Sequence, residues 1–159
     1  MIIMGDILLY ALTGIVYWWW TANLSVFGVA PNLIFIAALS AAIIARPAKA
    51  LAYCFFFGLY LDFLGASLFG AYALIYTLMA YGIYMMKRHL DLVGSFSQVV
   101  AALILTPVIM FFYQGLSLTL GRINPLQLKG LLIEPFLNAL LAPLMFHFFA
   151  QLKKRSGIL

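Results

Sequence analysis

Charge is what this sequence has least of: Asp, Glu, Lys and Arg make up 8% of its 159 residues, against 67% hydrophobic residues. So little polar surface cannot cover a water-soluble globule of this size, which excludes a soluble domain. Cysteine is nearly missing as well. The single Cys54 stands inside an apolar run, so no internal disulfide can form, and it reads as a small buried side chain. Strict apolar–polar alternation is also lacking. Runs such as Leu33 to Ala45 are apolar on every face, which argues against a transmembrane β-barrel with a polar lumen and leaves helices to satisfy the backbone in lipid. There is no G-x-S-x-G, no H-E-x-x-H and no glycine-rich phosphate loop followed by Lys, so no catalysis, metal or cofactor is implied.

What is present is a series of apolar segments broken by charges, prolines and glycines. A transmembrane helix takes about 20 apolar residues to cross a hydrocarbon core roughly 30 Å thick. The chain therefore predicts an all-α polytopic bundle of about six transmembrane helices in one integral membrane domain, with spans at about 2–20, 26–45, 50–64, 68–86, 93–120 and 128–151. The first segment carries Asp6 where a signal peptide carries positive charge and is expected to be retained. Its end at Tyr17-Trp18-Trp19-Trp20 suits a membrane–water interface. Thr21 to Ala30 reads as a short turn, and Pro31 is expected at the first helical position of the second span. Arg46-Pro47-Ala48-Lys49 ends that span, and Gly65-Ala66-Ser67 makes the next turn. Lys87-Arg88-His89-Leu90-Asp91 stops the fourth span, and Pro107 is placed to kink the fifth. A loop at Gly121 to Pro125 precedes the sixth, whose end is anchored by Lys153-Lys154-Arg155.

Lys and Arg bias sets the orientation. With both termini cytoplasmic, seven basic residues (Arg46, Lys49, Lys87, Arg88, Lys153, Lys154, Arg155) lie inside and two (Arg122, Lys129) outside. The net charge of +5 is then the ordinary basic flanking of a bacterial inner membrane protein beside anionic headgroups, and no nucleic-acid partner is needed.

An ionisable residue inside a membrane is costly and needs a reason. Asp62 shares a helical face with Gly58 four residues before and lies near Gly65 three residues after. Glycines at that spacing admit another backbone, and the carboxylate beside them could accept hydrogen bonds from a helix end or an Arg. The plainer reading is an interfacial acid partly in water. Glu134 lies early in the sixth span with Asn138 on the same face and Pro135 and Pro143 nearby, a polar stripe that faces other helices or a partner. His147 has no second ligand at metal spacing and reads as structural.

The run Gly58-Leu59-Tyr60-Leu61-Asp62-Phe63-Leu64-Gly65-Ala66-Ser67-Leu68-Phe69-Gly70-Ala71-Tyr72-Ala73-Leu74, with Tyr76 and Tyr81 beyond it, resembles the rod shape-determining protein MreD family. The resemblance extends to Pro31-Asn32-Leu33, to the basic loop at Arg46, and to Pro135-Phe136-Leu137-Asn138 with Pro143, and it covers most of the chain. It implies a non-enzymatic scaffold of bacterial cell elongation and peptidoglycan synthesis. Its implied partners are a single-span MreC-like protein, a RodA-type glycosyltransferase with its transpeptidase, and MreB filaments; a homodimer stays open. The residues expected at helix-packing or partner interfaces are Gly58, Asp62, Gly65, Gly70, Glu134 and Asn138. That family is distantly similar to the substrate-binding membrane subunits of energy-coupling-factor vitamin transporters, which gives the alternative function. Those subunits carry an Ala-x-x-x-Ala motif on the first helix, whereas here the spacing Ala37 to Ala41 and Ala38 to Ala42 falls on the second.

Overall fold

In the computed structural model, residues 2–23, 28–65, 68–89, 91–92, 94–121 and 128–156 are described. They form six helices: α1 (Ile2–Asn23), α2 (Leu33–Ile44), α3 (Pro47–Leu64), α4 (Ala71–Met86), α5 (Ser95–Thr119) and α6 (Leu128–Ser156). Residues 24–27, the turn residues Ala66 and Ser67, and the loop residues Arg122 to Pro125 lie outside the described part.

The helix starts differ from the sequence expectation for local chemical reasons. Asn32, not Pro31, opens α2: its Oδ1 accepts from the Phe35 amide at 3.0 Å, while the Pro31 carbonyl takes the Leu33 amide at 3.1 Å. Pro47 is the first residue of α3, where its missing N–H costs little, so that helix begins before residue 50. Gly70 has φ 92°, a left-handed conformation that holds residues 68–70 out of the helix and starts α4 at Ala71. The helix α1 runs past the tryptophans to Asn23, whose Nδ2 donates to the Trp19 carbonyl at 2.8 Å. Pro107, Pro135 and Pro143 all lie within continuous helices.

Helix α2 is the centre of the bundle. Every residue from Leu33 to Ile43 is buried, and Ala37, Ala38, Ser40, Ala41 and Ala42 present only small side chains, so α3, α4 and α6 pack closely against it. The Cys54 thiol of α3 is fully buried and donates to the Ala38 carbonyl at 3.3 Å. Twelve residues span only about 18 Å, which suffices because this helix touches protein rather than lipid.

Around this centre the chain is apolar on the outside. On α6, Leu132, Phe136, Leu140, Leu144 and Phe148 form an exposed stripe at intervals of four residues, while Asn138, Ala139, Ala142, Phe146 and Phe149 face inward. Among the described residues α3, α5 and residues 129–151 are long and apolar enough to cross a membrane. The molecule is a helical membrane bundle.

Helix α1 lies against α2 and reaches α3 through Tyr10, whose hydroxyl donates to the Phe56 carbonyl at 2.7 Å. Helix α5 packs chiefly on α6 and only lightly on α4, where Tyr72 and Tyr113 stack with ring centroids 4.5 Å apart. Basic residues gather at one end of the bundle. Lys153 Nζ of α6 donates to the Ile44 carbonyl at the close of α2, a favourable place for a cation at a helix C-terminus. Lys87 closes α4 at the same end, its ammonium pushed below the usual lysine range by burial first and by Lys153 second.

Candidate functional site

Asp62 sits on the last turn of α3, facing the start of α4. That start lacks a capping side chain of its own, because Gly70 occupies the cap position. Asp62 supplies the cap from the neighbouring helix: the Tyr72 amide donates to Oδ1 at 2.9 Å and the Ala73 amide to Oδ2 at 3.0 Å. Both carboxylate oxygens thus meet the positive end of the α4 dipole. The residue is 4% exposed, so it is not the water-facing interfacial acid of the plainer sequence reading.

Gly58 lies one turn earlier on the same face. A Cβ there would stand 2.5 Å from Ala73 Cα and 2.6 Å from Ala73 N and would also overlap the Tyr72 carbonyl. These atoms are backbone and cannot swing aside. The missing side chain is what lets the two helices touch, and this contact brings the Asp62 carboxylate within reach of the α4 amides. Gly58, Asp62 and Gly70 therefore form one unit. Gly65 stands apart: it is exposed, caps α3 through its amide to the Leu61 carbonyl at 2.7 Å, and approaches no other element.

The second polar group is built around Asn138, which is fully buried. Its Oδ1 accepts from the Asn32 amide at 2.8 Å and its Nδ2 donates to Thr106 Oγ1 at 3.2 Å, while Thr106 donates to the Ala102 carbonyl at 2.6 Å. One amide thus ties α6 to the cap of α2 and to α5. Glu134, one turn earlier, hydrogen-bonds the Asn138 side chain. Asn138→Ala is expected to destabilise the bundle by about 1 to 3 kcal/mol, since the Asn32 amide loses its buried acceptor; thermal unfolding in detergent measures it, with Asn138→Asp, which sets a second buried carboxyl beside Glu134, losing at least as much.

Above this group a cavity of about 190 Å³ opens at the end of the bundle opposite the chain termini, between α1, α2, α4, α5 and α6. Glu134, Tyr17, Tyr72, Tyr76, Thr106 and Asn32 are among its lining residues. Glu134 and Asn138 were legible as a stripe through their spacing of four. Thr106 was not, because in an apolar sequence a lone Thr looks like filler; Tyr72 and Tyr76 stood in the stretch that carries the family resemblance without a role of their own, and Asn32 after Pro31 was a usual helix-start residue. His147 lies exposed on the outer surface of α6, with Nε2 2.7 Å from Gln151 Nε2.

A glycine-dependent α3–α4 contact, a carboxylate capping α4 and a Pro-Asn opening to the central helix all fall within the part of the chain matched by one family. The model of the family described as rod shape-determining protein MreD matches residues 1–153. The chain belongs to the MreD family. Neither a curated protein nor a solved structure matches it. Membership of the MreD family assigns the bundle to rod-shape determination, and within this MreD protein the Gly58–Asp62 unit and the Asn138 group are the two polar groups that tie separate helices together through the side-chain hydrogen bonds described above.

Proposed function

We propose that the chain is a non-enzymatic, multi-pass scaffold of the bacterial inner membrane that binds an MreC-like single-span protein. Through that partner it joins a RodA-type glycosyltransferase, its transpeptidase and MreB filaments. The observation that carries this reading is the MreD match over residues 1–153.

The weak packing of α4 on α5 supports a place for the partner. Two cavities of about 310 and 210 Å³ follow one another along that seam and share Leu105. Their walls run from Phe96 to Leu116 of α5 and from Leu74 to Met86 of α4, and among them Leu78, Ile104 and Phe112 are exposed. Twenty residues of α5 rise about 30 Å, the thickness of a hydrocarbon core, so the groove has the length of one transmembrane helix. Leu78→Trp and Val108→Trp would fill it from its two sides. Each is expected to cut recovery of a co-expressed MreC-like partner by about tenfold or more while leaving the unfolding temperature of the isolated chain unchanged. Equal recovery with wild type would remove the groove from the reading.

A cytoplasmic position for both termini is part of this reading, and it is supported by Arg46, Lys49, Lys87 and Lys153 sharing the end of the bundle that holds the start of α1 and the end of α6. A cysteine introduced at Asn124 should react with an impermeant thiol reagent added from outside the cell and one at His89 should not. The reverse pattern would invert the topology.

The vitamin-transporter alternative draws less support. Ala37, Ala38, Ala41 and Ala42 are at most 2% exposed in the centre of the bundle, where they cannot meet an energising subunit.

A further inference from the structure

The cavity beside Glu134 contains a polar group the fold leaves unused. Tyr76 is fully buried, yet its hydroxyl has no hydrogen-bond partner among the described residues. Buried hydroxyls are nearly always paired, and an unpaired one in an apolar bundle is costly, so this group points to something the cavity takes up. A volume of about 190 Å³ exceeds the roughly 150 Å³ that admits benzene in an engineered cavity. The lining is electrostatically one-sided. Glu134 is its acid, and among the described residues no Lys, Arg or His lines it. Tyr17 and Tyr72, whose phenol rings keep part of their surface accessible, also line it, and aromatic rings attract cations. Thr21, Ala30 and Glu134 keep part of their surface accessible, which gives the cavity a way in.

We infer that this cavity is a binding site for a small organic cation bearing a primary ammonium group, which pairs with Glu134 and donates a hydrogen bond to the Tyr76 hydroxyl oxygen. An anion would meet Glu134 without a compensating charge, and an apolar ligand would leave Tyr76 unpaired. The ammonium fits both and gains from the rings. The same chemistry is offered by a free amine and by the ethanolamine headgroup of a membrane lipid. The site adjoins the α4–α5 groove at Ile109 but draws its polar residues from outside it, so its test does not depend on the partner.

The test uses the full chain. Thermal unfolding in detergent is titrated with ethanolamine, with acetate as the anionic control, and is repeated in bilayer discs of phosphatidylglycerol with and without phosphatidylethanolamine. A saturable rise in unfolding temperature with ethanolamine, weakened about tenfold or more in Glu134→Gln and roughly fivefold in Tyr76→Phe, assigns the site to free amines. A rise confined to discs containing phosphatidylethanolamine, lost in both variants, assigns it to the headgroup. No rise in either setting, an equal rise with acetate, or a rise unchanged in both variants overturns the inference. Should one variant fail to fold, the wild-type titration and the other variant still decide.

Discussion

Asp62→Ala is expected to lower the unfolding free energy of the isolated chain by about 2 to 4 kcal/mol, measured by denaturant or thermal unfolding in detergent. The substitution orphans two amides at once, those of Tyr72 and Ala73, which now donate to the carboxylate at 2.9 and 3.0 Å. Gly70 has no side chain to replace the cap, and the site is too buried for water to do so cheaply. Asp62→Asn keeps one acceptor oxygen and gives up the charge facing the helix dipole, so it should lose about half as much. A chain in which Ala, Asn and Asp at this position unfold alike would show that the cap contributes nothing. Because the loss is expected without any partner present, a weakened complex in the Ala variant follows from the weakened bundle.

Gly58→Leu is expected to be worse, leaving little folded protein to recover. Even Gly58→Ala places a methyl 2.5 Å from Ala73 Cα, and since α3 and α4 meet there through backbone, the helices must part. Their separation also draws the Asp62 carboxylate away from its amides, so the two losses are coupled and a double variant should cost less than the sum. Overpacking of this kind costs about 1 to 3 kcal/mol, and the rigid backbone on the receiving side places Gly58→Ala at the upper end. Gly82→Ala is the internal control. It lies in the same α4 and its added methyl would meet nothing within 4 Å, so it should be neutral or stabilise by about 0.4 to 1 kcal/mol through the unfolded chain. Equal behaviour of Gly58→Ala and Gly82→Ala would contradict the close approach.

The helix count was legible because charges, prolines and glycines separate apolar runs of the right length. Helix starts were less so, since they depend on which side chain reaches which amide: Asn32 takes over from Pro31, and Gly70 turns left-handed where the apolar run continues unbroken from Leu68. The face shared by Gly58 and Asp62 could be read from their spacing of four. That it could take a backbone and the amides of a helix end was readable as well; which helix end was not, because the α4 amides lie ten and eleven residues on and become its partners only through the turn between. The centrality of α2 was also hidden. In a chain this apolar every segment looks equally buried, and the small side chains of Ala37 to Ala42 distinguish it only once close packing is taken as the driving term. The stripe of Glu134 and Asn138 was readable, whereas the cavity above it is assembled from five helices.

Proximity of a partner helix to the α4–α5 seam tests the scaffold reading most directly. Cys54 is fully buried, so a single introduced cysteine can serve as the reporter. Leu78→Cys and Ile104→Cys, one on each wall of the groove, are paired with cysteines walked along the span of an MreC-like partner, and Leu140→Cys on the exposed stripe of α6 is the control. Docking in the groove predicts disulfides from Leu78→Cys and Ile104→Cys to two opposite faces of the partner's span, each recurring at about 3.6-residue intervals, and none from Leu140→Cys. Disulfides from Leu140→Cys with none from either groove position would place the partner on the α6 stripe and contradict the docking site.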